Sequence, residues 1–258
     1  MKNTLRTMLA AAVCASAATI TAPAFAQDEV VSDVEVSANV ALVTDYRFRG
    51  VSLSDGEFAI QGGIDVAHAS GFYVGTWASS LDEGPGDEFG SYGSTELDIY
   101  AGWSGALTDT LAVDAGILLY AYPDGDSCNC DYWEPYASIT GAVGPAEVTA
   151  GVAYAWEQSS LGDQDNLYVY GDAGFGIPTT GISLSAHLGY TDGVLAPPLL
   201  GNAALGIASN DDTGFDWSVG ASTGYKGLEL GVAYIGTDGP SVNDFTDNAF
   251  VGSLSASF

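Results

Sequence analysis

The stretch Phe250-Val251-Gly252-Ser253-Leu254-Ser255-Ala256-Ser257-Phe258 decides the fold. Side chains of an extended strand alternate between two faces. Phe250, Leu254, Ala256 and Phe258 therefore share one face with Gly252 between them, and Val251, Ser253, Ser255 and Ser257 share the other. In water such an edge strand, with a bare apolar face, invites aggregation. In a closed membrane barrel the same strand pairs with the first strand while its apolar face meets lipid.

The amino terminus is consistent with export. Lys2 and Arg6 precede an apolar run from Met8 to Ile20, and Ala24-Phe25-Ala26 is a small-x-small cleavage site. About thirteen apolar residues are too few to span a bilayer. The expectation is a cleaved secretory signal peptide over 1–26 and a single domain over 27–258. Val13 is a poor neighbour for a lipidated Cys14, so a lipoprotein is not expected.

The chain has 258 residues with Lys+Arg 5 and Asp+Glu 33. Once Lys2 and Arg6 leave with the leader, Arg47, Arg49 and Lys226 face all 33 acids, a formal charge of −30. That excludes nucleic acid as a partner, because such binding needs a basic face that displaces counterions. At 47% hydrophobic and 11% aromatic, the chain is too apolar to be disordered. No apolar run after residue 27 approaches the length of a spanning helix, so a membrane protein of this sequence must be a barrel.

About twelve segments of alternating polarity recur, separated by Gly/Asp/Ser/Pro clusters. The alternation predicts a first strand from Val34 to Arg49, with Val36, Ala38, Val40, Leu42, Tyr46 and Phe48 on one face. The segment Phe72 to Ser80 is extended, but its phase is ambiguous. Short links (Ala69-Ser70, Gly105 to Asp109, Ala142 to Pro145, Ile177 to Thr180, Tyr225 to Gly227) alternate with longer ones. That is the layout of periplasmic turns and outer loops, and an even strand count puts both termini on the periplasmic side. Outward aromatics fall at strand ends: Tyr46, Phe48, Phe58, Trp133, Tyr154, Trp156, Tyr190, Phe215 and Trp217 near the outer loops, Phe72, Trp103, Phe175, Tyr225 and Phe258 near the turns. Membrane barrels place their aromatic girdles there. The fold class expected is all-β, an up-and-down antiparallel transmembrane barrel of about twelve strands.

By phase, Asp45, Arg47, Arg49, Glu57, Asp65, Glu96, Asp98, Asp114, Asp172 and Glu229 project inward as pore-lining residues, with Glu35, Gln61, Glu147 and His187. An acidic lumen favours cations through electrostatic focusing. Twelve strands lie between the filled eight-stranded barrel and the open sixteen-stranded porin, so a small pore and a plugged lumen both stand. The outer loops are acidic too, and are read as solvated rather than as a metal site: Asp124-Gly125-Asp126 opens like a calcium loop, but Pro135 occupies the position of the required Glu. Cys128 and Cys130, in an outer loop, are expected to form a disulfide on the oxidising export route. No metal and no cofactor are expected. A hydrolase needs a histidine within reach of a nucleophile and of its substrate. His68 lies at a periplasmic turn and His187 faces the lumen, so an enzyme is not expected.

Two segments carry a family resemblance. Residues 40–54, Val-Ala-Leu-Val-Thr-Asp-Tyr-Arg-Phe-Arg-Gly-Val-Ser-Leu-Ser, resemble the opening motif of the TorF family of porins, and residues 71–80, Gly-Phe-Tyr-Val-Gly-Thr-Trp-Ala-Ser-Ser, resemble its next recurrent block. The ending at Phe258 also resembles the strand by which outer-membrane barrels are recognised for assembly, with Phe250, Leu254 and Phe258 as its apolar residues. The resemblance implies a porin in the bacterial outer membrane. Expected partners are the membrane lipid and lipopolysaccharide, the barrel-assembly machinery, small solutes and, as in many porins, further copies of the chain. The cluster Asp45/Arg47/Arg49 is expected either to form a charged constriction or to pin the first outer loop.

Overall fold

The computed structural model describes residues 33–82, 92–125 and 129–258; the leader 1–26 and Cys128 lie outside them. The described strands are β1 Val34–Val43, β2 Arg47–Phe48, β3 Val51–Ser52, β4 Ala59–His68, β5 Phe72–Ser80, β6 Thr95–Ala106, β7 Leu111–Ala121, β8 Tyr132–Val143, β9 Ala146–Gln158, β10 Gln164–Ile177, β11 Ile182–Gly193, β12 Thr213–Tyr225, β13 Leu228–Thr237 and β14 Ala249–Ser257. All but β2 and β3 form one closed antiparallel barrel in the order β1-β14-β13-β12-β11-β10-β9-β8-β7-β6-β5-β4. Closure leaves no unpaired sheet edge, which is what allows strands to cross lipid. The seam is sealed where β1 meets β14, with Asn39 opposite Ser257 and Val43 opposite Ser253. Phe258 extends it: its N–H donates to the Ala38 carbonyl (2.8 Å), and the Ala38 N–H donates back (3.1 Å).

The outer surface is a continuous apolar band. Val36, Val40, Ile60, Ile64, Ile117, Val152, Leu188, Val219, Leu230 and Leu254 are all exposed on it. At the outer-loop end of this band, aromatic rings touch in neighbouring pairs, Tyr190 with Phe215, Trp217 with Tyr234 and Tyr234 with Phe250. A continuous apolar belt bounded by aromatics is the surface of a protein solvated by bilayer. β5 settles its phase by turning Phe72 and Val74 to lipid and Tyr73, Trp77 and Ser79 inward. Its ambiguity has a physical source, since both faces carry aromatics. Inside, tyrosines lie across glycines of adjacent strands, Tyr73 over Gly102, Tyr136 over Gly116 and Tyr170 over Gly151, where a methyl group would collide with the ring.

The first strand is shorter than its alternation predicts. β1 ends at Val43, and the segment from Asp45 to Ser54 leaves the wall and enters the lumen. Tyr46 and Phe48, expected on the lipid face, point inward instead: Tyr46 is buried and Phe48 partly so. The β11–β12 connection also holds a short helix, α1 Pro197–Ala204, which helical periodicity did not reveal. Two prolines preset its first turn, and Pro197, Pro198 and Gly201 are buried.

Candidate functional site: an inturned hairpin across the outer lumen

Arg47 and Phe48 pair with Ser52 and Val51, making a two-residue hairpin with Arg49 and Gly50 at its tip. Both tip residues have positive φ, 49° and 81°. This is what a type I′ turn requires, and it matches the twist of its flanking strands. Within the hairpin, Asp45 accepts from Arg47 Nε (2.5 Å), Ser52 Oγ (2.6 Å) and Ser54 Oγ (3.3 Å). Ser54 Oγ also accepts the Tyr46 N–H (2.8 Å). The short polar residues of the motif therefore satisfy its turns from inside.

The hairpin touches most of the barrel wall. Tyr46 packs edge-on against Trp77 of β5 and donates its hydroxyl to Glu96 of β6 (3.0 Å). Phe48 meets Tyr120 of β7 edge-on at 5.6 Å. Gly50 lies against Asp216 of β12 and against Gly236 and Thr237 of β13, with no space for a side chain. Arg47 Nη1 donates to the Gly50 carbonyl within the hairpin (3.2 Å) and reaches the β13–β14 loop at the carbonyls of Phe245 (3.5 Å) and Asp247, while Nη2 donates to the Asp247 carboxylate (3.1 Å). Tyr46 belongs to one apolar cluster with Val43, Ala59, Ile235 and Val251, while Phe48 packs on both this and a second one around Leu118, Tyr120 and Tyr132. Burial of Tyr46 and Val51 alone contributes roughly 1.5–3 kcal/mol each to seating the hairpin.

Arg49 makes the longest reach. It crosses to β8, where Nη2 donates to both oxygens of Glu134 (2.8 and 2.7 Å). The Tyr120 hydroxyl donates to the same carboxylate (3.1 Å). The guanidinium lies between two rings, 4.1 Å from the centroid of Tyr168 on β10 and 4.7 Å from that of Phe48. Both partners of the ion pair are buried, with side-chain exposures of 6% and 3%. Tyr168 donates to Asp216 (3.2 Å) and lies 2.8 Å from His187 Nε2. His187 sits between two carboxylates, Asp172 at 2.7 Å and Asp216 at 3.1 Å. On the outer flank of the hairpin, Asp55 is held above its ordinary pKa, first by burial and then by the neighbouring charges of Asp244 and Asp82.

The residues predicted to line the lumen fall into three groups. Asp45, Arg47 and Arg49 are brought together, on the hairpin rather than on the wall. Glu96 and Asp98 lie on the wall beneath it and are fully buried. Asp65, Asp114, Asp172 and Glu229 lie on the periplasmic half of the wall and are partly exposed, as are the more open Glu35 and Glu147. There Asp114 accepts from Tyr73 (2.8 Å) and Asp65 from Tyr100 (2.5 Å). Glu57, expected inside, stands exposed at the outer rim because the chain re-enters the wall only at Ala59. Cys130 is disulfide-bonded. Phe250 and Phe258 are strongly exposed on the lipid face, and Leu254 shares that face. Sequence reasoning missed Glu134, Tyr168 and Asp216. Only the inward phase of their strands pointed to them.

A closed twelve-stranded barrel with an apolar belt outside and carboxylates inside is an outer-membrane β-barrel, and it lies in the bacterial outer membrane. The chain belongs to the family described as "Bacterial protein of unknown function (Gcw_chp)", whose model matches residues 27–258. No curated protein matches it. Among solved structures it is similar to the NanC porin (9% identity, 87% of this chain and 99% of that one, TM-score 0.56). It is also similar to the KdgM porin, solved in complex with disordered oligogalacturonate (10% identity, 86% and 98%, TM-score 0.54). A third similar structure is an outer membrane channel from Pseudomonas putida F1 (13% identity, 86% and 94%, TM-score 0.50). At these identities the likeness is one of fold.

Proposed function

We propose that this protein is a porin-like channel for small solutes, selective for cations, whose outer half is held shut by the hairpin 45–54. The observation that carries the reading is the division of the lumen. Its periplasmic half is open and lined by the partly or fully exposed Glu35, Asp65, Asp114, Glu147, Asp172 and Glu229. Arg47 and Arg49, the lumen's two arginines, are each paired with carboxylates in the outer half. Carboxylates in a low-dielectric tube concentrate cations and repel anions. The resemblance of residues 40–54 and 71–80 to the TorF porins and the porin folds of the similar structures support the same reading.

A second reading, a permanently plugged barrel with a surface role, is favoured by the breadth of the hairpin's contacts. Planar-bilayer recording across a potassium chloride gradient separates the two. A reversal potential on the cation side, moving toward zero when Asp65, Asp114 and Asp172 are changed to Asn, supports the channel. Silence under all voltages, in wild type and in a variant lacking residues 45–54, supports the plug.

The leader 1–26, the assembly role of Phe250, Leu254 and Phe258, the Cys128–Cys130 disulfide and self-association belong to the same proposal. So do contacts with lipopolysaccharide and the assembly machinery. Mass spectrometry of the membrane-extracted chain tests the leader and the disulfide directly.

A further inference from the structure

The seat of Arg49 is built like a receptor for a guanidinium. A carboxylate takes two contacts from one nitrogen, the Tyr168 ring lies below the guanidinium plane, and Tyr120 fixes the carboxylate with its hydroxyl. Carboxylate pairing and aromatic stacking are the two means by which proteins recognise this group. The occupant, however, is the protein's own side chain, carried on a hairpin. It also fits incompletely: among the described residues, Arg49 Nη1 and Asp216 Oδ2 are enclosed without hydrogen-bond partners. A buried donor and a buried acceptor left unpaired both weaken the docked state. The seat adjoins the open half through Tyr168, His187 and the half-exposed Asp172, so a cation drawn in by the lumen carboxylates reaches it from below.

We infer that Glu134, Tyr168, Tyr120 and Asp216 form a binding site for organic cations of the guanidinium class. Arg49 fills this site at rest, and a free cation that takes it displaces the hairpin and opens the outer lumen. The inference rests on the channel reading for its second half only, because binding at the site does not require conduction. A tethered group competes at an effective concentration of about millimolar, so millimolar free ligand can contest the seat. The occupied state also lowers the apparent affinity of wild type by the fraction of molecules whose seat is vacant.

Methylguanidinium is the probe, titrated calorimetrically into the mature chain in detergent micelles. Removing the tethered competitor in Arg49→Ala should tighten apparent binding about tenfold or more. Adding Glu134→Gln to that variant should abolish binding. Adding Tyr168→Leu should weaken it by a few-fold to about thirtyfold. Tetramethylammonium, which has no N–H to donate, should bind Arg49→Ala poorly. If Arg49→Ala fails to give the compact, heat-modifiable form, Arg49→Gln keeps a longer polar side chain without the charge and carries the same expectation. Equal affinity in wild type and the folded Arg49 variant, or binding unchanged by Glu134→Gln, overturns the site. In planar bilayers methylguanidinium should raise the open time of wild type and leave Arg49→Ala unchanged. Wild-type opening that ignores methylguanidinium overturns the displacement. Silence of every variant overturns the channel reading, and the titration then decides the site alone.

Discussion

Replacing Gly50 by alanine should unseat the hairpin while leaving every charge and every wall residue in the sequence as it is. A Cβ at this position would lie 2.5 Å from Thr237 Cγ2, 3.0 Å from Asp216 Cβ and 3.2 Å from the Gly236 carbonyl. The residue also has a φ of +81°, in the left-handed region. Left-handed backbone costs a non-glycine residue about 1–2 kcal/mol, and overpacking costs about 1–3 kcal/mol. Together the seated state loses about 2–5 kcal/mol, which multiplies the unseated population by roughly 30-fold to more than a thousand-fold at 1.36 kcal/mol per decade. The chain supplies its own reporter. Trypsin cuts after Arg and Lys, and past residue 27 only Arg47, Arg49 and Lys226 qualify. When the hairpin is seated, the side chains of Arg47 and Arg49 are 1% and 6% exposed. Lys226 lies in a periplasmic turn, beyond the reach of protease added to intact cells. Cleavage at Arg47 or Arg49 on whole cells therefore measures unseating alone, and its rate follows the open population when reclosing is fast. Gly50→Ala should be cut faster in the proportion given, with the heat-modifiable band preserved before digestion. A fully folded Gly50→Ala cut at the wild-type rate refutes the reasoning. So does a wild type in micelles cut at Arg49 as fast as at Lys226.

Other expectations follow from the same contacts. Glu134→Gln leaves the Arg49 charge buried without its partner and should cost about 3–5 kcal/mol of hairpin seating, whereas Arg49→Met with Glu134→Leu should fall close to wild type; whole-cell trypsin cleavage of the single variant and loss of heat-modifiability against temperature of both check this. Deleting Phe258 removes the two backbone bonds to Ala38 and an exposed lipid-facing ring, and should lower the yield of heat-modifiable barrel while leaving synthesis unchanged, as blotting of outer-membrane fractions would show. Asp124, outside the barrel, accepts the Ser94 hydroxyl (2.5 Å) and N–H (3.1 Å), bonds that hold its pKa below the ordinary 3.8. Because the folded value is the lower one, this tie between two outer loops is intact above pH 3.8 and lost as pH falls through the depressed value. Protection of the Ser94 amide, its exchange taken relative to the intrinsic rate at each pH, should fall there, and Asp124→Asn should remove the step.

The barrel was legible in the sequence because lipid demands one rule of every strand. Val36, Ile64, Val152 and Leu230 obey it at positions far apart in the chain, and the short and long links obey it in alternation. The hairpin was hidden by the same rule. Asp45, Tyr46, Arg47, Phe48 and Arg49 continue the polar–apolar alternation of β1, so periodicity alone carries the strand six residues too far. A finer signal was present: Arg49-Gly50 stands between two extended dipeptides, the spacing of a two-residue hairpin. The site was less legible for a different reason. Glu134 lies 85 positions from Arg49 and Asp216 much further, and a single chain records which face a residue takes but not which residue it meets across the lumen. The phase of Phe72 to Ser80 was undecidable because Tyr73 and Trp77 are inside, where aromatics serve as paving and packing rather than as lipid anchors.

The seam at Ala38 and Phe258 also sets an order in time. Arg47 and Asp247 are 200 positions apart, and the remaining holds on the hairpin come from β5 through β13. The hairpin is thus synthesised before the strands that receive it, and its seat is complete only when β13, β14 and the loop between them have arrived. It is synthesised early and seated late. A barrel that stalls before β1 meets β14 keeps two arginines and four apolar side chains unseated, while a closed one packs Tyr46, Phe48, Val51 and Leu53 against its interior. Seating is in this sense a certificate of closure, written by β1 and β14 together.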